Sequence, residues 1–268
     1  MIRLCLAAVA ALALSACSKA PEDVTARYTL GGGSGSVTVQ AAANGDSRLE
    51  TGQQALVHKG GVDYILITDA KGQFAAKTSD FLAVIGEMMR EEGMKPPAAP
   101  PAEEYELAKT GTDTIAGLKG DIWRITPKDP AKAGPGSTPE AVISSDRSLD
   151  HVGKALGMQT RLAAGMQALQ GGASNLDKRV AEMLDKGMVL RFAEALKLDK
   201  LEKGPIDAKI FTLPAVVDKA ALKARMVAER DRAKAEAAKA GPPIAMPQGG
   251  GAPALAPAPA PAPAPKAQ

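Results

Sequence analysis

Aromatic residues, histidine and cysteine are scarce in this sequence. Only 3% of its 268 residues are aromatic, and it has two histidines and two cysteines. So few imidazoles and thiols argue against a zinc finger, an iron–sulfur cluster or any site built from clustered histidines. The formal net charge of +3 is too small to indicate a nucleic-acid binder. We therefore predict no metal, no cofactor and no nucleic-acid partner.

Motifs of catalysis are missing as well. The glycine-rich stretch at residues 32–36, GGSGS, lacks the last glycine of a nucleophile elbow and the Lys-Ser/Thr pair of a P-loop. Neither His58 nor His151 has a second histidine or a cysteine at ligand spacing, so both are interpreted as structural or exposed. No nucleophile, base and orienting group can be nominated together, and the sequence predicts a protein that is not an enzyme.

The first residues have the pattern of a secretion signal. Arg3 provides a positive start, Leu4 to Leu14 form an apolar run, and small residues follow. The run is too short to span a membrane, which takes about 20 apolar residues. Residues 1–16 are therefore predicted to be a signal peptide that is removed from the mature protein.

The residues around the cleavage point resemble the bacterial lipobox. They read Leu14-Ser15-Ala16-Cys17, so Cys17 would become the acylated, palmitate-bearing first residue of the mature chain. By resemblance to lipoprotein sorting rules, Ser18 in place of aspartate favours the outer membrane, with the protein facing the periplasm. The alternative is a plain secreted protein in which Cys17 is incidental. Residues 17–23 are interpreted as the anchor linker.

The C-terminal end is set apart by composition. Residues 241–268 contain nine prolines and nine alanines, which favour an extended, disordered tail rather than a core. Residues 214–240 are predicted to form a basic, alanine-rich helix after Pro214. This arm would reach the cell wall or an envelope protein, or it would serve only as a solvated spacer.

Between these segments, residues 24–213 have a mixed pattern that predicts an α+β domain. Short apolar alternations separated by Gly and Asp turn signals favour antiparallel strands. Helices are predicted from Ser79 to near Gly93, through Leu149 to Leu169, and at Leu176 to Leu184, while Val189 to Leu198 fits a helix or a strand. Strands are predicted at Ala26 to Leu30, Val37 to Ala41, Ser47 to Glu50, Ala55 to Lys59, Asp63 to Thr68, Gln73 to Ala76, Tyr105 to Lys109, Asp121 to Thr126, Ala141 to Ser145 and Ile206 to Leu213.

Five short motifs in this domain form a recognisable series: Tyr28 with Val37 to Gln40, Asp46 to Glu50, Val62-Asp63-Tyr64, Ile115 to Arg124, and Ile206 to Pro214. Together they resemble an uncharacterised family of bacterial outer-membrane lipoproteins, similar in turn to the LolA/LolB and LppX/LprG half-barrel lipoprotein carriers. The resemblance implies a curved, unclosed antiparallel sheet, with helices across its concave face and an apolar cavity between them. The chain departs from the family in lacking a tryptophan at Val142-Ile143 and in adding the basic helix and the tail.

Two functions remain open from the sequence. The first is a lipid-anchored binding protein with an apolar pocket for a lipid or acyl chain, in envelope lipid or lipoprotein handling. The second is a structural lipoprotein that tethers the outer membrane to the cell wall or to a partner through its C-terminal arm. Any residue of the predicted pocket could equally be plain core. The candidate lining is Leu66, Phe81, Ile85, Met89, Trp123, Leu162 and Met166.

Overall fold

The computed structural model describes residues 20–33, 35–52, 54–94, 103–129, 131, 138–171 and 175–239. The predicted signal peptide, Cys17 and the proline-rich segment 241–268 lie outside these residues. The chain divides into two compact units, residues 1–226 and residues 227–268. The sheet, its helices and the sites below belong to the first unit.

The first unit is built on one eleven-stranded antiparallel sheet, ordered β6-β5-β4-β3-β2-β1-β11-β10-β9-β8-β7. Strands β6 and β7 end this order and do not pair with each other, so the sheet is unclosed. The predicted α+β class with an open antiparallel sheet is confirmed. The strands are β1 Val24–Leu30, β2 Ser36–Ala41, β3 Ser47–Thr51, β4 Gln54–Lys59, β5 Val62–Asp69, β6 Gly72–Lys77, β7 Tyr105–Ile115, β8 Leu118–Pro127, β9 Glu140–Ser144, β10 Val189–Phe192 and β11 Leu196–Lys203.

Strands β1 to β6 form a meander whose side chains alternate between two faces. On β2, Val37, Val39 and Ala41 are buried while the residues between them are more exposed. This is the period-two pattern of a strand with one face on a core. The meander predicted for the N-terminal half is therefore present.

Strands β7 and β8 are longer than their apolar residues predict. A two-residue turn joins them, and both its residues have positive φ, 49° at Ala116 and 78° at Gly117. This combination is typical of the type I′ turn, whose twist matches that of the paired strands. The pairing of β7 with β8 therefore continues through a polar, threonine-containing stretch in which the sequence predicts no strand.

Three helices pack on the sheet. They are α1 (Thr78–Glu91), α2 (Asp150–Leu169) and α3 (Asn175–Leu184). Helices α1 and α2 contact strands of the β1 to β6 half, whereas α3 contacts β7, β8 and β9. The fourth helix, α4 (Lys219–Lys239), begins in the first unit and continues into the second.

The main core lies between the helices and one face of the sheet. Val152, Ala155, Met158 and Leu162 recur at helical spacing on α2 and are all buried there. A second cluster, with Ile125, Ile143 and Met183, lies under α3. The helix predicted through Leu149 to Leu169 is α2, and this stripe is its buried face.

The opposite face of β4 to β6 is covered by residues 205–217, which we call the outer strap. Val57, Leu66 and Ala75 form a small cluster there with Leu213. The strap also hydrogen-bonds to Ala75 of β6 on both sides of Val216, from Ala75 N to Ala215 O and from Val217 N to Ala75 O. The strap therefore pairs with the edge strand β6 at Ala75, where the strand would otherwise expose unpaired backbone groups.

The strap corrects one prediction. Ile206 to Leu213 alternates like a strand but contains a short 3-10 helix, Ala208–Phe211, begun by the side chain of Asp207, which accepts a bond from Lys209 N at 2.9 Å. Local capping by aspartate competes with pairing to a strand. The last strand of the sheet is instead β11, Leu196–Lys203.

Candidate ligand-binding cavity

A cavity of about 420 Å³ lies between α2, α3 and the sheet. Its volume falls within the range of about 300–1,000 Å³ that is usual for small-molecule sites. Sheet residues from β1, β2, β3, β10 and β11 form one side, and the two helices form the other. The main apolar side chains lining it are Leu30, Val37, Leu49, Leu156, Val180, Leu184, Val189, Phe192 and Leu196.

Small residues on α2 leave the space that forms the cavity. Gly157, Ala163 and Ala164 line it, on the side of the helix turned away from the buried stripe. Larger side chains at these positions would occupy the gap between α2 and the sheet strands or α3. The small residues of α2 can be seen in the sequence. Their spacing alone does not show that a second helix, α3, lies opposite them and completes a cavity.

Close helix packing holds α2 in place around this gap. A Cβ added at Gly165 would come within 3.0 Å of the Leu82 side chain on α1, closer than real Cβ contacts. Gly165 therefore lets α1 and α2 approach each other. Helix α2, which forms part of the cavity wall, is therefore held in place by its packing against α1.

The polar groups of the cavity are few and carry little charge. Thr51, Gln159, Thr160, Gln167 and Asp177 line it, and of the described lining residues none is lysine, arginine or histidine. Gln167 Nε2 donates to Asp177 Oδ1 at 3.4 Å, joining α2 to α3. The lining suits an apolar chain whose polar end is neutral or positively charged, because a buried carboxylate would find no cation there.

A buried tyrosine ties the cavity wall to the middle of the sheet. The Tyr28 hydroxyl on β1 donates to the Val189 carbonyl oxygen on β10 at 3.0 Å. Burial raises the pKa of Tyr28 far above its ordinary value, so this hydroxyl stays protonated and keeps donating. Val189 itself lines the cavity.

None of the seven residues predicted as pocket lining is among those that line this cavity. Phe81, Leu162 and Met166 belong to the main core, and Ile85 and Met89 are half-buried on α1. Their role in a ligand site stays a prediction.

The other two lie elsewhere in the fold. Leu66 lies on the strap side of the sheet. Trp123 packs in the α3 cluster, with the Lys186 ammonium 4.2 Å from its ring centre.

A separate polar cleft of about 630 Å³ lies at the other side of α2. It brings together both histidines of the sequence, which the spacing did not connect. His58 Nδ1 lies 2.6 Å from Asp63 Oδ1, and Arg161 Nε donates to Asp63 Oδ2 at 2.9 Å. His151 and Lys154 of α2 also line this cleft.

Of the two ring nitrogens of His151, one has a hydrogen-bond partner among the described residues. Its Nε2 donates to the Glu22 carbonyl oxygen at 2.9 Å, since a carbonyl can only accept. Its Nδ1 is buried without a hydrogen-bond partner among the described residues. That both histidines are structural or exposed stays a prediction, and their spacing in the sequence does not indicate that they share one cleft.

Serine, histidine and aspartate lie side by side in this cleft. Ser47 pairs with His58 across β3 and β4, and His58 pairs with Asp63 across β4 and β5. No hydrogen bond among the described residues joins the Ser47 hydroxyl to His58, and Arg161 occupies the second oxygen of Asp63. The row lacks the nucleophile–base contact that a catalytic triad requires.

Two further features are defined for the described residues only. No helix there is both long enough and apolar enough to cross a membrane. Nor do three or more His, Cys, Asp or Glu side chains converge there on a position that would hold a metal ion.

No family model matches the chain, and no curated protein matches it. Among solved structures, MucB is similar to 74% of this chain, with 13% sequence identity and a TM-score of 0.32. This chain spans 59% of the MucB chain. MucB in complex with MucA(peri) is similar to 72% of the chain, with 13% identity and a TM-score of 0.31, and is covered over 55% of its own length.

A LolA superfamily protein, NE2245 from Nitrosomonas europaea, is similar to 72% of the chain and is covered over 91% of its own length. The identity is 9% and the TM-score is 0.21.

Proposed function

We propose that this protein is a lipid-anchored binding protein that holds an acyl chain or similar apolar ligand in the cavity between α2, α3 and the sheet. The observation that carries the proposal is the cavity of about 420 Å³, which has a mostly apolar lining and no lysine, arginine or histidine among its described lining residues. The anchor is Cys17, and the protein faces the periplasm from the outer membrane. Its role is in envelope lipid or lipoprotein handling.

Burial of apolar surface supplies the affinity. Each Å² of acyl surface removed from water contributes about 25 cal/mol, before the cost of ordering the chain is subtracted. Leu30, Leu49 and Phe192 provide this surface from three different strands. The binding free energy should therefore grow with the length of the acyl chain until the cavity is full.

The charge of the lining selects the polar end of the ligand. Asp177 is the charged residue among the described lining residues, and it is acidic. A fatty acid would bring a second carboxylate close to it, and the repulsion adds to the desolvation cost. Alcohols and amines of the same chain length avoid this cost, so we expect them to bind more tightly than the acid.

The tethering alternative has weaker support, because part of the basic helix is used inside the first unit. Lys219 Nζ lies 2.6 Å from Glu87 Oε1, and Lys223 Nζ lies 2.6 Å from Glu91 Oε1, both on α1. Beyond Met226, α4 carries four basic and three acidic residues up to Lys239, which is close to balance. These cations are therefore less free to attract an anionic partner than the sequence suggested.

Native mass spectrometry on the full chain carrying Cys17→Ser, exported to the periplasm, tests the proposal. A stoichiometric lipid adduct that is removed by solvent extraction is expected. Titration with dodecanol, dodecylamine and dodecanoic acid then ranks the polar ends. Absence of any adduct together with failure to bind all three compounds would overturn the proposal.

A further inference from the structure

The polar cleft beside α2 has more cationic groups than its acidic ones can neutralise. Asp63 is the one acidic residue among the described residues that line it. Both of its oxygens are already engaged, Oδ1 by His58 and Oδ2 by Arg161. Any further positive charge in the cleft is therefore uncompensated by the lining.

Lys154 supplies that charge. It lies seven residues before Arg161 on α2, which places the two side chains on the same side of the helix, two turns apart. Lys154 is exposed and forms no ion pair with any of the described residues, and the side chain of Arg161 is 51% exposed despite its pair with Asp63. Two cationic side chains thus present donors to the same opening.

Neutral groups complete the lining. His58 donates from Nδ1 to Asp63, and a neutral imidazole that donates from Nδ1 has an acceptor at Nε2, so His58 adds no donor to the cleft. Asn44, Gly45 and Ser47 line the opposite side, at the turn between β2 and β3. Two cationic side chains with an amide and a hydroxyl, around a concave and net positive opening, are the chemistry that binds a phosphate group.

The position of the cleft along the chain identifies the source of the phosphate. Pro21 lines the cleft and is four residues from Cys17. An extended chain spans at most about 3.6 Å per residue, so the sulfur-bearing residue lies within roughly 15 Å of the cleft. If Cys17 is acylated, the cleft is held at the level of the lipid headgroups.

We propose that the cleft formed by Lys154, Arg161 and the turn at Asn44-Gly45 binds the headgroup phosphate of a phospholipid in the membrane to which the protein is anchored. This contact fixes how the domain is oriented on the membrane. The orientation, though not the phosphate site itself, rests on the proposed anchoring at Cys17. The apolar cavity lies along the other side of α2, so the two sites take different molecules.

Vesicle co-sedimentation of the full chain carrying Cys17→Ser tests the site without the anchor. The vesicles contain equal parts of phosphatidylethanolamine and phosphatidylglycerol, and vesicles of digalactosyldiacylglycerol serve as the phosphate-free comparison. Lys154→Gln should weaken binding to the phospholipid vesicles about fivefold, and Arg161→Gln should have a similar effect, as expected for a cation at an anionic surface. Lys154→Arg should retain binding.

Two controls separate the cleft from the rest of the molecule. Lys71→Gln removes the same charge at the opposite end of β5, and the pair Lys234→Gln and Lys239→Gln removes two charges from α4. Lys71→Gln should leave binding within about twofold of the parent chain, since a surface charge beyond a Debye length of about 10 Å contributes little. The α4 pair should also leave binding within about twofold, because that part of the helix is close to charge balance. Circular dichroism confirms that Lys154→Gln, which breaks no ion pair among the described residues, is folded.

Three outcomes overturn the proposal. One is equal binding by Lys154→Gln and its parent, a second is loss of binding only when α4 is changed, and a third is saturable binding of inorganic phosphate with no phospholipid dependence. Incorporation of labelled palmitate into the unmodified chain tests the anchor separately. If no palmitate is incorporated, the proposed anchor at Cys17 is wrong. Whether the cleft binds a headgroup phosphate is still decided by the vesicle experiment.

Discussion

The guanidinium of Arg225 lies over the ring of Phe74, with the central carbon 4.1 Å from the ring centre. The same side chain pairs with Asp69, Nε to Oδ2, at 3.0 Å. Arg225 is on α4, while Phe74 and Asp69 are on β6 and β5 respectively. The first two turns of α4 are thus fastened to the edge of the sheet, and Leu222 between them is fully buried.

Replacing Arg225 by glutamine should lower the free energy of unfolding by roughly 1–2 kcal/mol, because a stacked cation and a largely buried ion pair are lost together. The free energy of unfolding of Arg225→Lys should lie between those of the parent chain and of Arg225→Gln, since lysine retains the charge but cannot stack on the ring as a planar group. Urea denaturation followed by circular dichroism measures both. Arg27→Gln is the matched control, because its partner Glu202 lies 3.9 Å away and both side chains are about half exposed.

A larger side chain inside the apolar cavity should displace the ligand. Ala164 lines it from α2, and Ala164→Phe is expected to weaken dodecanol binding by roughly tenfold or more, which corresponds to about 1.4 kcal/mol. Isothermal titration calorimetry gives the affinity. Ala224→Phe on the exposed side of α4 adds the same group elsewhere and should leave the affinity unchanged. Equal affinity in the two variants would place the ligand outside this cavity.

Two glycines of α2 should respond oppositely to alanine. Gly165→Ala forces a Cβ against Leu82 and should lower stability by about 1–3 kcal/mol, as overpacking does. At Gly157 the nearest atom is the end of the flexible Arg161 side chain, so Gly157→Ala should be neutral or stabilise by up to ~1 kcal/mol, the helix propensity gain. Thermal unfolding of the two variants side by side is the measurement. A stable Gly165→Ala protein would contradict the close approach of α1 and α2.

Acid should weaken the fold through Asp23. Backbone N–H groups of Ala43 and Ile206 donate to its two carboxylate oxygens at 2.8 Å and 3.0 Å, and these bonds hold the pKa of Asp23 below its ordinary 3.8. A depressed pKa in the folded state means that the stabilisation is present above pH 3.8 and is lost as the pH falls through the folded value.

Asp23→Asn should therefore be less stable than its parent at neutral pH, and the difference should shrink below pH 3.8. Unfolding midpoints in urea, taken at several pH values, reveal the convergence. Because the Asp23 side chain is largely solvated, the loss of unfolding free energy should be well below the loss expected for a buried carboxylate. A constant difference across the whole pH range would show that the bonds from Ala43 and Ile206 do not depend on the carboxylate charge.

The alternation of side chains was enough to predict most of the sheet. Val37, Val39 and Ala41 mark β2 because each fills one face of a half-buried strand. The same reasoning failed for Ile206 to Leu213, where apolar side chains alternate over an outer strap that is held by side-chain caps and by contacts to β3 and β4. Periodicity reports which side chains are buried, and it does not report whether a neighbouring strand accepts the backbone bonds.

The cavity was harder to predict than the fold. Its defining residues on α2 are glycine and alanine, which read in the sequence as weak points of a helix rather than as a binding surface. Only the placement of α3, with Val180 and Leu184 also lining the cavity, turns the missing side chains into a cavity. Likewise, His58 and His151 are 93 positions apart, and the register of β3 to β5 beneath α2 is what brings them to one cleft.

The pairing of β1 with β11 sets an order of events for the synthesis of this protein. Val24 lies opposite Lys203, so the central seam of the sheet joins residues nearly 180 positions apart. On either side of that seam the strands are joined mostly to their sequence neighbours, which close quickly because the loops are short. We therefore expect the two halves to form first and the seam to close only after β11 has been synthesised. Until that moment β1 and β11 are open strand edges, and the newly made chain is most exposed to misassembly then.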